Sequence, residues 1–472
     1  MIRGEAMSTR KYASDQRQMF GYQAEDRLPR GHICFLIDEI VDDLDLGTPA
    51  RGNSIRGAPS YDPRMMVKIL FYGYVRGIRS SRRLAADCRE NIGFMKLCQG
   101  EVPDFRTIAL FRRENESLLE RAFSSLVRRL VEARVVSVSH IITDGSKVHA
   151  NARNGRIIHR KFFDEVKRAI KEWMSSSADL DAAEQLREKL SSVGVSTSSD
   201  SVEGLQDLVD RCSKAVEEGE RGKAQKVSIT DPGCRFMRDG IGGRINLGYN
   251  VQAAIDADTG LVVGCDVTQD VQDSRSLVRM VETVERISNE TVEAVDADSG
   301  FFRSDTVHSL EEKEFVYDAS RDVFCCSEGN EHVFKGFAHK RDKEFVRVYV
   351  SQRRCDGCPR RERCFGRSQL KRHRIRKHVD FVWLTRHRKR FLEPAYRQRL
   401  EGRRLIESLF GHWKHNLRFR KFLLRGLSGA RIETFLVAAA SLLRRLSNIL
   451  KRDGLSWASL LGPPELTRTP AV

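Results

Sequence analysis

The feature that most limits what this chain can fold into is a change of hydrophobic period near residue 135. Before it, apolar residues recur at helical spacing; after it, they come in β-branched runs. VVSVSHIITDG, residues 135–145, predicts a buried strand that ends in a turn at Asp144-Gly145. INLGYNVQAAID and LVVGCDVTQD flank a DADTG turn and predict a β-hairpin with Gly260 in the turn. SRSLVRMVETVERI predicts a helix. TVEAVDADSG predicts a fourth strand ending in carboxylates, and EFVYDAS a further short one. Two late helices are expected, from about Glu393 to Asn416 and from about Gly429 to Lys451.

Three antiparallel strands, a helix, a strand and a late helix are compatible with an RNase H-like α/β core. Two segments interrupt that order. Residues 155–228 are charged, Ser-rich and helical in pattern (FDEVKRAIKEWM, LQDLVDRCSKAVEEGE), which predicts an inserted helical hairpin; residues 320–392 are Cys-rich and basic. The core is therefore expected from three pieces, 135–154, 229–319 and 393–451, with a tail over 452–472. Residues 1–55 read as an N-terminal arm.

Residues 56–134 predict a helical block. Asp62 is a good N-cap and Pro63 a good first-turn residue for the helix MMVKILFYGYV, which runs to Gly77. Further helices are expected from Ser80 or Ser81 and after Pro103. Short helices in series carrying Arg79, Arg82, Arg83, Arg106, Arg112 and Arg113 suit a helix-turn-helix-like DNA-binding domain, with Arg79, Arg112 and Arg113 as phosphate contacts. The alternative is a plain helical bundle with a hydrated Arg-rich face.

Charge points the same way. The 472 residues hold 82 Lys and Arg against 65 Asp and Glu, a net charge of +17, which suits a polyanionic partner. No run of about eighteen apolar residues and no apolar segment near the start are visible, so a cytoplasmic, nucleoid-associated protein without a membrane span is expected. Of 11 cysteines, Cys355 and Cys358 form C-x-x-C, Cys364 follows, and Cys326 or Cys325 offers a fourth thiolate. Four thiolates suit a closed, structural Zn²⁺ site. The basic run after them, interleaved with Phe381 and Trp383, suits phosphate.

Metal-assisted phosphoryl transfer needs carboxylates from distant parts of a chain. Asp144 ends the first strand. Asp296 and Asp298 end the fourth, and strand period two puts both on one face, so spacing does not choose between them. Glu407 shares a helix face with Arg403 and Lys414, beside an apolar stripe of Ile406, Phe410 and Trp413. Asp256, Asp266, Asp270 and Asp273 read mostly as turn and cap residues, with Asp273 alternatively a support behind the site carboxylates.

These segments resemble those of DDE-type insertion-sequence transposases of the group with a Tyr-Arg-Glu-Lys signature around the third carboxylate. ITDGSKVHANA is similar to the first-Asp segment, VDADSGFF to the Asp-small-Gly-aromatic segment, and RRLIESLFGHWKHNLRFRKFLLRGL to the third. SYDPRMMVKILFYGYVRGIRSSRRLA and PDFRTIALFRREN resemble the family's N-terminal helical domain; ITDPGCRF and GYNVQAAID resemble segments leading into the second strand. The signature's Tyr falls on Leu400, with Tyr396 one turn earlier. The resemblance implies Asp144, Asp298 (not Asp296) and Glu407 as catalytic carboxylates holding two Mg²⁺ or Mn²⁺, with Arg403 and Lys414 on phosphate. It implies cleavage and strand transfer at the ends of a mobile element, on double-stranded element-end and target DNA; a homodimer is expected on functional grounds only, from the pairing of two ends. The alternatives are a metal-dependent nuclease without strand transfer and a catalytically decayed DNA-binding protein.

Overall fold

The computed structural model describes residues 24–47, 60–153, 156–176, 180–195, 201–238, 243–273, 276–298, 315–339, 345–365, 370–378, 382 and 402–461. Tyr396, Leu400, Phe381, Trp383, Ser299 to Phe301 and the tail from residue 462 lie outside them. The chain forms two compact units, Met1–Ala297 with Arg404–Val472, and Asp298–Arg403.

The first unit begins with helices Ile33–Asp43, Pro63–Val75, Ser81–Glu90, Ile92–Cys98, Phe105–Glu114 and Glu116–Glu132. Asp62 caps as expected, its carboxylate accepting from the Arg64 N–H at 2.7 Å. The segment after Pro103 makes two helices instead of one. Asp104 caps the first of them by accepting from the N–H groups of Arg106 and Thr107, and the backbone breaks at Asn115 (φ −114°, ψ 46°).

The sheet of this unit holds the site. Strand β1 is His140–His149. Strands β2 (Ile157–His159) and β3 (Lys226–Ser228) pair with each other at the neck of the first insertion. Strands β4 (Arg235–Arg238), β5 (Ile245–Asp256), β6 (Val262–Thr268) and β7 (Ala294–Asp296) complete the sheet. β5 lies antiparallel to β1 and to β6, and β7 lies parallel to β1 on its other edge. This mixed sheet, with the helix Ser276–Ser288 between β6 and β7, is consistent with an RNase H-like core. The β5–β6 hairpin turns at Gly260 (φ +64°), where the Asp256 carboxylate accepts from the Thr259 N–H and hydroxyl.

The expected turn at Asp144-Gly145 does not exist. β1 continues through it to His149, and Gly145 pairs with Gln252. Glycine is needed there for space: a Cβ would meet the Gln252 amide and the Asp273 carboxylate, which cross that face of the strand.

The helices Arg403–His415 and Gly426–Asp453 close the unit, with a short helix Trp457–Leu461 after them. Among the described residues, Gly426–Asp453 is the one helix long and apolar enough to cross a membrane; 78% of its apolar window is buried. A helix apolar all round belongs in a core. A single cluster joins Val67 and Leu126 of the N-terminal helices, Ile142 and Ala254 of the sheet, and Trp413 and Leu436 of the last two long helices.

The first insertion is larger than a hairpin. Its three helices, Phe163–Ser175, Leu180–Ser192 and Val202–Arg221, bury a core of their own that includes Trp173, Leu186, Leu205 and Cys212.

The second unit is an antiparallel meander: β8 (Phe315–Asp318), β9 (Val323–Cys326), β10 (Glu331–His339), β11 (Phe345–Ser351) and β12 (Arg374–His378). The EFVYDAS segment thus pairs locally, Phe315 with Cys326 and Asp318 with Val323, and not with the first sheet. Phe324, Tyr349 and Ile375 form its small core.

Candidate active site

Alternation along β1 sorts its side chains. His140, Ile142, Asp144 and Ser146 share one face; Thr143, Gly145 and Lys147 share the other. The Asp144 carboxylate is half-buried and accepts the N–H of Gly145 at 2.7 Å. On the opposite face Asp273 is held by Lys147 (3.0 Å), Asn250 (2.6 Å) and Gln252 (2.8 Å). Asp273 is not a cap but a strut behind the strand that carries Asp144, a supporting place that its sequence position leaves open.

β7 runs parallel to β1 with Ile142 level with Asp296. Asp296 is 3% exposed and its carboxylate lies 2.9 Å from His140 Nε2. Asp298, two residues on, is different. Its side chain is 49% exposed and stands 3.4 Å from the Arg403 guanidinium. Spacing could not separate these two acids; burial does.

Glu407 is exposed on the helix Arg403–His415. Ile406, Phe410 and Trp413 bury the adjacent face of that helix in the core that also holds β1, and Trp413 Nε1 donates to Ser441 at 2.6 Å. Lys414 is half-buried on the Glu407 side.

Two of the three arginines expected to meet DNA do not face solvent. Arg79 is 7% exposed, 2.5 Å from the fully buried Glu433. Arg112 is 4% exposed and donates to the Arg79 carbonyl (2.7 Å), the Tyr74 hydroxyl and Ser81. Their Nη groups donate inside the protein: Arg79 lies in the connection before the helix Ser81–Glu90 and reaches the carbonyls of Arg418 and Lys421, and Arg112 lies on the face of its helix that meets Tyr74 and Arg79. Arg113 remains exposed at 68%.

In the second unit, Cys326, Cys355, Cys358, Cys364, His332 and His373 line one cavity of about 280 Å³. Cys325 does not line it. Asn330 touches two of the thiols, its N–H donating to Cys326 Sγ (3.3 Å) and its amide to Cys355 Sγ (3.6 Å). Burial pushes the His332 imidazole down to about 4 and lowers His373 as well. Among the described residues, no three His, Cys, Asp or Glu side chains converge closely enough to hold a metal ion.

Comparison with known proteins bears on both ends of the chain. Residues 22–114 match the family described as a transposase domain (DUF772), and residues 325–447 match the transposase DDE domain family. The first span covers the N-terminal helices as far as Glu114; the second includes Arg403, Glu407 and Lys414. No curated protein and no solved structure matches. A transposase domain near the start and a transposase DDE domain toward the end together support an insertion-sequence DDE transposase.

Proposed function

We propose that this transposase binds the ends of a mobile DNA element, cleaves DNA there and joins the freed strand to target DNA, with Asp144, Asp298 and Glu407 as its catalytic carboxylates. The observation that carries the reading is the parallel pairing of β1 with β7. Two residues beyond the paired positions Ile142 and Asp296 come Asp144 and Asp298, the acids that the family resemblance implies.

Three carboxylates, brought together on DNA, would make an all-oxygen donor set of the kind that suits Mg²⁺ or Mn²⁺. Two such ions would supply neutralisation of charge on the phosphate and a more acidic attacking water or hydroxyl. Arg403 and Lys414 hold phosphate near the scissile bond, and Arg113 holds the duplex farther along. The N-terminal helices serve as the DNA-binding block, and two copies pair two element ends.

The thiol-lined cavity supports a separate, structural Zn²⁺ in the second unit. Cys326, Cys355, Cys358 and Cys364 would hold it by drawing together from their places around the cavity, with neutral His332 and His373 beside them.

The test is an assay with duplex oligonucleotides that carry the element's terminal sequence and a second duplex as target. Divalent-ion-dependent nicking followed by joining is expected. Nicking that never leads to joining would favour a nuclease, and DNA binding without nicking would favour a decayed enzyme.

A further inference from the structure

The segment Leu417–Arg425 links the Glu407 helix to the long core helix, and its pattern alternates. Leu417, Phe419 and Phe422 are buried, while Arg418, Arg420, Lys421 and Arg425 are exposed. It runs beside the end of β1 as a strap: the His149 N–H donates to the Arg420 carbonyl (3.1 Å), and the Phe422 N–H donates to the His149 carbonyl (2.8 Å).

What holds the strap is the buried pair Arg79–Glu433. Arg79 Nη1 donates to the Arg418 carbonyl and Nη2 to the Lys421 carbonyl, each at 2.7 Å, with the guanidinium 5.0 Å over the Phe419 ring. Glu433 Oε1 accepts the N–H groups of Leu423 and Leu424, each at 2.6 Å. One ion pair thus satisfies four backbone groups of the strap from its inner side. A buried ion pair is a costly way to gain stability, since apolar residues of similar volume often do as well. What this pair does secure is the strap's backbone path, with Arg418 itself in the left-handed region (φ +54°).

The outer side is cationic. Among the described residues, no carboxylate forms an ion pair with Arg418, Arg420 or Lys421, and Arg420 leans back on the Lys414 carbonyl and the His415 ring. The strap therefore begins where the Glu407 helix ends.

We infer that the strap is a contact for the phosphate backbone of duplex DNA, and that Arg79 and Glu433 are positioning residues that fix its cations without touching DNA. This rests on the transposase reading above. Fixed, outward cations on a rigid backbone match phosphate recognition, which sets the register of a duplex independently of sequence.

The experiment is duplex binding by the full chain, followed by fluorescence anisotropy over a series of salt concentrations. The triple variant Arg418→Ala, Arg420→Ala, Lys421→Ala is expected to bind at least about tenfold more weakly. Its slope of log affinity against log salt should be shallower by about 2 to 3, near 0.9 per lost phosphate contact. A control triple on the first insertion, Lys167→Ala, Arg168→Ala, Lys171→Ala, removes the same charge and should leave the slope unchanged. Glu433→Gln keeps every strap cation and should still weaken binding in folded protein; a merely structural role would leave affinity unmoved. An unchanged slope in the strap variant, or equal losses in both triples, overturns the inference alone. Absence of duplex binding by the wild-type chain overturns the transposase reading with it.

Discussion

His140 Nε2 lies 2.9 Å from the Asp296 carboxylate, and that contact distinguishes two acids that strand spacing alone leaves equivalent. Asp296 joins β7 to β1 from a buried position; Asp298 is the half-exposed one. Asp298→Asn, Asp144→Asn and Glu407→Gln are each expected to abolish Mg²⁺-dependent nicking of an end duplex while leaving duplex affinity near wild type. Asp296→Asn should lower the unfolding midpoint yet retain nicking at temperatures where the protein is folded. Residual wild-type nicking in any of the first three would remove that residue from the site.

Gly145→Ala puts a methyl group against Gln252 and Asp273. Overpacking of this kind costs about 1–3 kcal/mol. Because the strand that gives way carries Asp144, nicking should fall further than the loss of folded protein, as read by urea unfolding beside a cleavage assay. An unperturbed enzyme would show that the Asp273 strut is dispensable.

Arg112 and Arg113 are neighbours with opposite fates. Arg112→Ala strands the Tyr74 hydroxyl and the Arg79 carbonyl inside the protein and should cost about 1–3 kcal/mol of stability. Arg113→Ala should leave stability unchanged and weaken duplex binding. Circular dichroism melts and anisotropy titrations of both variants check the split.

Asp231 accepts from the Tyr249 hydroxyl (2.6 Å) and the Gly426 N–H (3.1 Å), and burial raises its carboxyl above the usual range. The unfolded chain then ionises first, near pH 4. Stability is full below that pH and is lost as the pH rises through the higher folded value. Asp231→Asn should therefore flatten the stability profile across that window, gaining on wild type at neutral pH relative to pH 4. Parallel profiles for the two proteins would contradict the assignment.

For the thiol cavity, elemental analysis of purified protein should return one zinc per chain. Cys355→Ser combined with Cys358→Ser should remove it and destabilise the second unit. Protein prepared without chelator that carries no zinc would end the proposal.

Much of the core was legible because strand and helix periods differ so plainly after residue 135. The β5–β6 hairpin, the Asp62 cap and the apolar stripe of Ile406, Phe410 and Trp413 all follow from local pattern, and the structure holds each of them. What escaped was everything set by distant pairing. Gly145 resembles a turn residue until β5 is laid beside it. Arg79 and Arg112 resemble DNA contacts until Glu433, more than 300 residues away, is brought under the first of them. The meander of the second unit was hidden because cysteines and basic residues dominate 320–392 as a whole, although FVRVYVS within it alternates at the strand period.

The core that spans Cys34 to Trp457 carries a consequence for synthesis. The N-terminal helices pack against Gly426–Asp453, so they cannot complete their packing until residues 426–453 have left the ribosome. A product truncated before residue 426 lacks the helix that fills this core and the Glu433 that anchors Arg79. The fold therefore ties folding of the N-terminal helices to synthesis of residues 426–453: a copy that stops short of them is expected to be inert and not merely weak.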